Sequence, residues 1–158
     1  FDGFYIDAML YRWDNPTQSL ICFSEWDELF GSVNVSDGYW LQTDTAGAII
    51  YEPADGDPPA TPSIHIPRTG WSIIGCPSTT PRDWNMTEVS NGLTTVPIVT
   101  ARDLHWLDTI CYWWENTGGS GSLKTLGLDD DWTDATVLQP WHGYWLKTGI
   151  DDLRIILH

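Results

Sequence analysis

The hexapeptide Gly38-Tyr39-Trp40-Leu41-Gln42-Thr43 returns 105 residues later as Gly143-Tyr144-Trp145-Leu146-Lys147-Thr148, so the chain carries an internal duplication. Upstream, residues 5–15 align with 106–116 at a spacing of 101, and downstream Ile49-Ile50-Tyr51 aligns with Ile155-Ile156-Leu157. Such a period is too long for a solenoid repeat and makes each copy a small domain, or half of a pseudo-symmetric one. The copies differ in front of the shared block. The second has the segment 64–103 ahead of it, whereas the first starts only a few residues before it. The first unit is therefore expected to lack its opening strands. Its open edge would be completed by strand addition from another copy of the chain or from an upstream segment of the same protein, with residues 9–13 or 38–43 as the pairing partner.

Short aromatic and aliphatic runs bounded by Asn-Pro, Asp-Gly and Ala-Gly turns predict an all-β protein. Strands are expected at 9–13, 19–23, 38–43 and 48–51 in the first unit. In the second they are expected at 64–67, 71–76, 88–89, 93–99, 110–115, 123–126, 143–148 and 153–157. Helical turns are expected only near 26–30 and 100–104. Four prolines between Pro53 and Pro62 cannot enter a central strand, and predict a stiff connection. The expected architecture is two related antiparallel sandwich or barrel-like units, 1–53 and 64–158, joined by a Pro-rich linker, 54–63.

With 22 acidic and 7 basic residues the net charge is −15, which excludes a phosphate-binding surface and makes nucleic acid a poor partner. An acidic surface with two lysines suits a secreted or cell-surface protein kept soluble by self-repulsion. No apolar run is long enough to insert into a membrane. Cys22, Cys76 and Cys111 are too few for a disulfide scaffold and lack metal-ligand spacing, although one bridge, Cys76 to Cys111, is open to the chain.

The chain has 11 Trp and 6 Tyr, and the duplication sorts them. Trp13 with Trp114, Trp26 with Trp132, Trp40 with Trp145, Tyr11 with Tyr112 and Tyr39 with Tyr144 occupy matching positions, and are expected in the shared core. Trp84, Trp113 and Trp141 have no aromatic counterpart. They are the candidates for exposure and for stacking on sugar rings.

The second unit opens with Gly70-Trp71-Ser72-Ile73-Ile74-Gly75-Cys76-Pro77 and closes with Pro140-Trp141-His142-Gly143-Tyr144-Trp145-Leu146. In this it resembles a class of β-rich modules that recur, often near the C-terminus, in large secreted and cell-surface proteins of environmental bacteria. The likeness covers about 90 residues of the second unit and about 50 of the first, which lacks the Gly-Trp opening. The resemblance implies location and architecture, and no catalytic residues.

Nucleophile elbows, zinc-protease helices, phosphate loops and dinucleotide fingerprints are all missing from the sequence. His105 and Asp108 form an isolated pair without a nucleophile. Asp129, Asp130, Asp131 and Asp134 make the densest acidic cluster, with Asp55 and Asp57 a smaller one. Calcium is the one cofactor to consider there, although the Gly-punctuated spacing of a calcium loop is lacking. Asn34-Val35-Ser36 and Asn85-Met86-Thr87 fit the N-glycosylation pattern. The expected function is a non-enzymatic structural or adhesive module, outside the cell or on its surface, able to join a filament or surface assembly. The alternative is a carbohydrate-binding module of a larger secreted protein.

Overall fold

The computed structural model describes residues 8–23, 36–43, 61–117, 120–129 and 132–158. The expectations for residues 26–30, 48–51, Trp26, Asn34, Asp55, Asp57, Asp130 and Asp131 lie outside these residues, as does most of the Pro-rich segment. Among the described residues the fold is all-β apart from one six-residue helix and one 3-10 turn.

The first strands, β1 (Ala8–Asp14), β2 (Ser19–Cys22) and β3 (Tyr39–Thr43), form an antiparallel sheet in the order β2-β1-β3. β1 is thus the central strand, with neighbours on both sides. Residues 9–13 are not an open edge, contrary to one of the two pairing partners expected from the sequence. The rest of the chain contributes β4 (Ser63–Ile66), β5 (Gly70–Gly75), β6 (Arg82–Asp83), β7 (Glu88–Ser90), β8 (Thr95–Pro97), α1 (Ile98–Asp103), β9 (Cys111–Thr117), β10 (Ser120–Leu126), β11 (Val137–Leu138), β12 (Gly143–Thr148) and β13 (Leu153–Ile156). One four-stranded antiparallel sheet runs β10-β9-β12-β5 and a second runs β4-β13-β7-β8, with β6 and β11 paired apart from them.

The two four-stranded sheets enclose the core. Ile74, Cys111, Leu126, Tyr144 and Leu146 come from the first of them, and Ile64, Ile66, Val89, Leu153 and Ile155 from the second, all at most 2 % exposed. Burying each such aliphatic side chain contributes about 1.5–3 kcal/mol before conformational entropy is counted. β12 shows the two-residue period of a half-buried strand, since Tyr144, Leu146 and Thr148 point inward between Trp145 and Lys147. The strand expected at 93–99 stops at Pro97 and the chain turns directly into α1. Pro97 has no N–H to continue a ladder, and its fixed φ of −55° suits a helix start. At the other end of the Pro-rich segment, the Pro62 carbonyl accepts a hydrogen bond from the Leu157 N–H, and Ser63 already opens β4.

The three-stranded sheet packs against β5 along the edge that β12 leaves open. Gly38 N–H donates to the Ile73 carbonyl at 3.0 Å, and Gly75 N–H donates to the Ser36 carbonyl at 3.0 Å. Two residues further along, Trp71 is held by side chains: its N–H donates to Gln18 Oε1 (2.9 Å), and its carbonyl accepts from Gln18 Nε2 (3.0 Å), Asn15 Nδ2 (3.1 Å) and Trp13 Nε1 (2.6 Å). Asn15, buried, also accepts from the Arg68 N–H at 2.8 Å. The turn after β1 thus supplies the hydrogen bonds that a further strand would give to β5.

Candidate functional site

Strand alternation decides which aromatic residues meet solvent. In β9, Cys111 and Trp113 face the core, so Tyr112 and Trp114 face outward. Tyr112 stands opposite Trp145 of β12, which stands opposite Ile73 of β5, and Lys147 stands opposite Trp71. The outer face of this sheet is therefore a row of rings. Trp71 lies 6.2 Å from Tyr112 and 6.5 Å from Trp145, and Lys147 Nζ sits 6.0 Å from the Trp71 ring. Trp114 is 50 % exposed. Its indole lies on Gly121 of β10, where any Cβ would collide with the ring. The absence of a side chain at Gly121 is what lets the ring lie against the β10 backbone.

The three-stranded sheet repeats this pattern. Tyr11 stands opposite Trp40 as Tyr112 stands opposite Trp145, and Trp13 opposite Leu20 as Trp114 opposite Leu123. Trp13 meets Trp145 edge to face at 4.9 Å, so the two aromatic faces close on each other at that point. Beyond it they diverge. The space left is a mostly apolar cleft of about 480 Å³ lined by Tyr11, Leu20, Trp40 and Gln42 from one sheet and Trp145 from the other.

The residues singled out by the sequence are placed differently. Trp84 is fully buried, with its Nε1 donating to the Thr109 carbonyl at 2.9 Å, and so cannot stack on a ligand. Trp113 is half-buried on the core side, 5.7 Å from Tyr144. Only Trp141 is exposed as expected, at 80 %, in a left-handed turn with φ 66°. Conversely Trp40, Trp114 and Trp132, expected in the core, are exposed. The signal for which aromatic residues face outward is the parity of β9. A cysteine at 111 marks the inward set, which sends Tyr112 and Trp114 outward.

Two members of the acidic cluster, Asp129 and Asp134, are tied into the fold. Asp134 accepts from the Thr125 N–H and hydroxyl and pairs with Lys124 at 3.4 Å, and the Thr125 contacts hold its carboxyl below the usual range. Asp129 is tied to Asn85, whose carboxamide accepts from the Asp129 N–H and donates to Asp83. Among the described residues no three His, Cys, Asp or Glu converge on a metal site, and Asp130 and Asp131 of the cluster lie outside those residues. A glycan on Asn85 would replace one of the two Nδ2 hydrogens that bond Asp83 and Asp129. Asp108 caps the Ile110 N–H. All three cysteines are free, and burial raises the Cys76 and Cys111 thiols above their ordinary value and the Tyr144 phenol to about 12. These buried groups serve packing.

Comparison with protein-family models, curated proteins and solved structures gives no match. Among the described residues, no helix is long and apolar enough to cross a membrane.

Proposed function

We propose that this chain is a non-catalytic adhesive module, secreted or displayed at the cell surface, that binds an uncharged polysaccharide through the aromatic faces of its two sheets. The observation that carries this reading is the outward-facing row of Trp71, Tyr112 and Trp114, in which Trp71 and Trp114 are exposed and Tyr112 is half-buried, with the Trp114 ring against Gly121. A ring packed against backbone loses little freedom on binding, and its exposed half offers apolar area to the C–H face of a sugar. Every strand position on these faces among the described residues lacks a carboxylate, in a chain that has 22 acidic side chains. An amine-bearing glycan would find no counter-charge there, and a polyanion would be repelled by the net charge of −15.

The test is retention on immobilised β-glucan, xylan, mannan and chitin, measured for the unaltered protein and for Trp114→Ala and Gly121→Ala. Retention on at least one polymer is expected, reduced about tenfold or more in both variants, with circular dichroism unchanged because Trp114 lies outside the core. No retention on any of the four would end the reading.

A second reading is favoured by one feature. β12 has β5 along its outer side, whereas β3, which holds the matching place beside β1, has no strand beyond Gly38 among the described residues. Strand addition there by another copy, or by an upstream segment, would build an assembly. Light scattering across a dilution series should then give a mass that rises with concentration. A constant monomer mass would count against it.

A further inference from the structure

We infer that the polysaccharide enters as a single chain into the cleft between the two sheets, and that Asn15 and Gln18 are positioning residues that hold the cleft at its working width. This deepens, and rests on, the reading of the aromatic faces as a polysaccharide site. The cleft of about 480 Å³ falls in the size range of ligand sites and carries a largely apolar lining with few polar groups. Its walls come from opposite sheets, Tyr11, Leu20 and Trp40 on one side and Trp145 on the other. A crystalline polymer surface presents a plane and meets only projecting rings, so it can reach Trp114 but cannot enter between two walls. A single chain can enter, and its sugar rings can then be covered on both faces. Gln42 at the same wall supplies a carboxamide that can donate to and accept from hydroxyls. No lining residue is charged, which matches a neutral ligand.

The angle between the walls is set where the sheets meet. At the closed end Trp13 packs on Trp145, and the Gln18 carboxamide and Asn15 Nδ2 grip the Trp71 backbone, Asn15 reaching on to the Arg68 N–H. Neither Asn15 nor Gln18 lines the cleft. Releasing them frees one wall to rotate without removing any surface the ligand touches.

The experiment pairs soluble and insoluble forms of the same polymers. Cellohexaose, xylohexaose, mannohexaose and chitohexaose are titrated calorimetrically, and depletion by the corresponding insoluble polymers is measured alongside. At least one hexasaccharide is expected to bind. Trp40→Ala and, as a second variant at the lip, Gln42→Ala should weaken it about tenfold and severalfold. Gln18→Ala and Asn15→Ala should weaken the hexasaccharide severalfold while binding of the insoluble polymer, made through Trp114, persists. General destabilisation would lower both together and would overturn the positioning role. Binding of insoluble polymer alone, sensitive to Trp114→Ala and indifferent to Trp40→Ala, would overturn the cleft and leave the aromatic-face reading standing. Binding of neither form would remove both.

Discussion

Replacing Trp84 with alanine should lower the free energy of unfolding by about 3–5 kcal/mol, the range for deleting a buried large aromatic. The side chain is fully buried, and its Nε1 is the donor to the Thr109 carbonyl. The variant therefore leaves a large void and removes the Nε1 donor to the Thr109 carbonyl, the loss of one buried hydrogen bond worth about 0.5–1.5 kcal/mol. Trp84→Phe separates the two effects, because it keeps most of the volume and loses only the donor. Urea denaturation with an unchanged slope should place Trp84→Phe between the alanine variant and the parent. Trp141→Ala, at a residue that is 80 % exposed, should fall within about 0.5 kcal/mol of the parent. Equal midpoints for Trp84→Ala and Trp141→Ala would contradict the packing described here.

The second large effect separates two glycines that the sequence makes equivalent. A Cβ on Gly38 would strike the Ile73 side chain and stand 2.8 Å from the Ile74 carbonyl oxygen, a backbone atom that cannot swing aside. A Cβ on Gly143 would meet nothing closer than 3.5 Å, ordinary contact. Gly38→Ala should therefore push the three-stranded sheet off β5, breaking the Gly38 to Ile73 bond and the Trp13 to Trp145 contact, at a cost of about 1–3 kcal/mol. Gly143→Ala should be close to neutral. Limited proteolysis and tryptophan emission give the readout: cleavage ahead of β4 and a red shift for Gly38→Ala, neither for Gly143→Ala. If both variants behave alike, the sheets do not meet at Gly38.

The same pair shows what sequence reading could and could not reach. Runs such as residues 143–148 and 153–157 announced strands because their alternation is local, and the all-β class followed. Position relative to a partner sheet is not local. Two copies of a Gly-Tyr-Trp strand can share their pattern while one glycine is crowded by β5 and the other is not. The tryptophans failed for a related reason. Matching residues are expected in a shared core, yet Trp40 with its match Trp145, and Trp114 with its match Trp13, lie on the outer faces, where Trp40 and Trp114 are exposed and Trp13 packs on Trp145, because a duplicated sheet duplicates its outer face too. Trp84 has no counterpart because it lies in 64–103, outside the aligned residues. Lack of a match there carried no information about burial. The cleft was out of reach altogether, since it depends on the angle at which two sheets meet.

Gln18 gives Trp71 both halves of a peptide hydrogen-bonding pair, an acceptor and a donor, from one side chain. In effect the outermost rung of β5 is a molecular plug. Proteins with bare sheet margins tend to recruit each other into insoluble aggregates, and blocking the margin with a side chain suppresses this without requiring another stretch of backbone. A hydrophobic replacement such as Gln18→Leu would leave the Trp71 amide unmet at that margin while its carbonyl keeps Asn15 and Trp13, so the first property of this protein to suffer at high concentration would be its shelf life in solution.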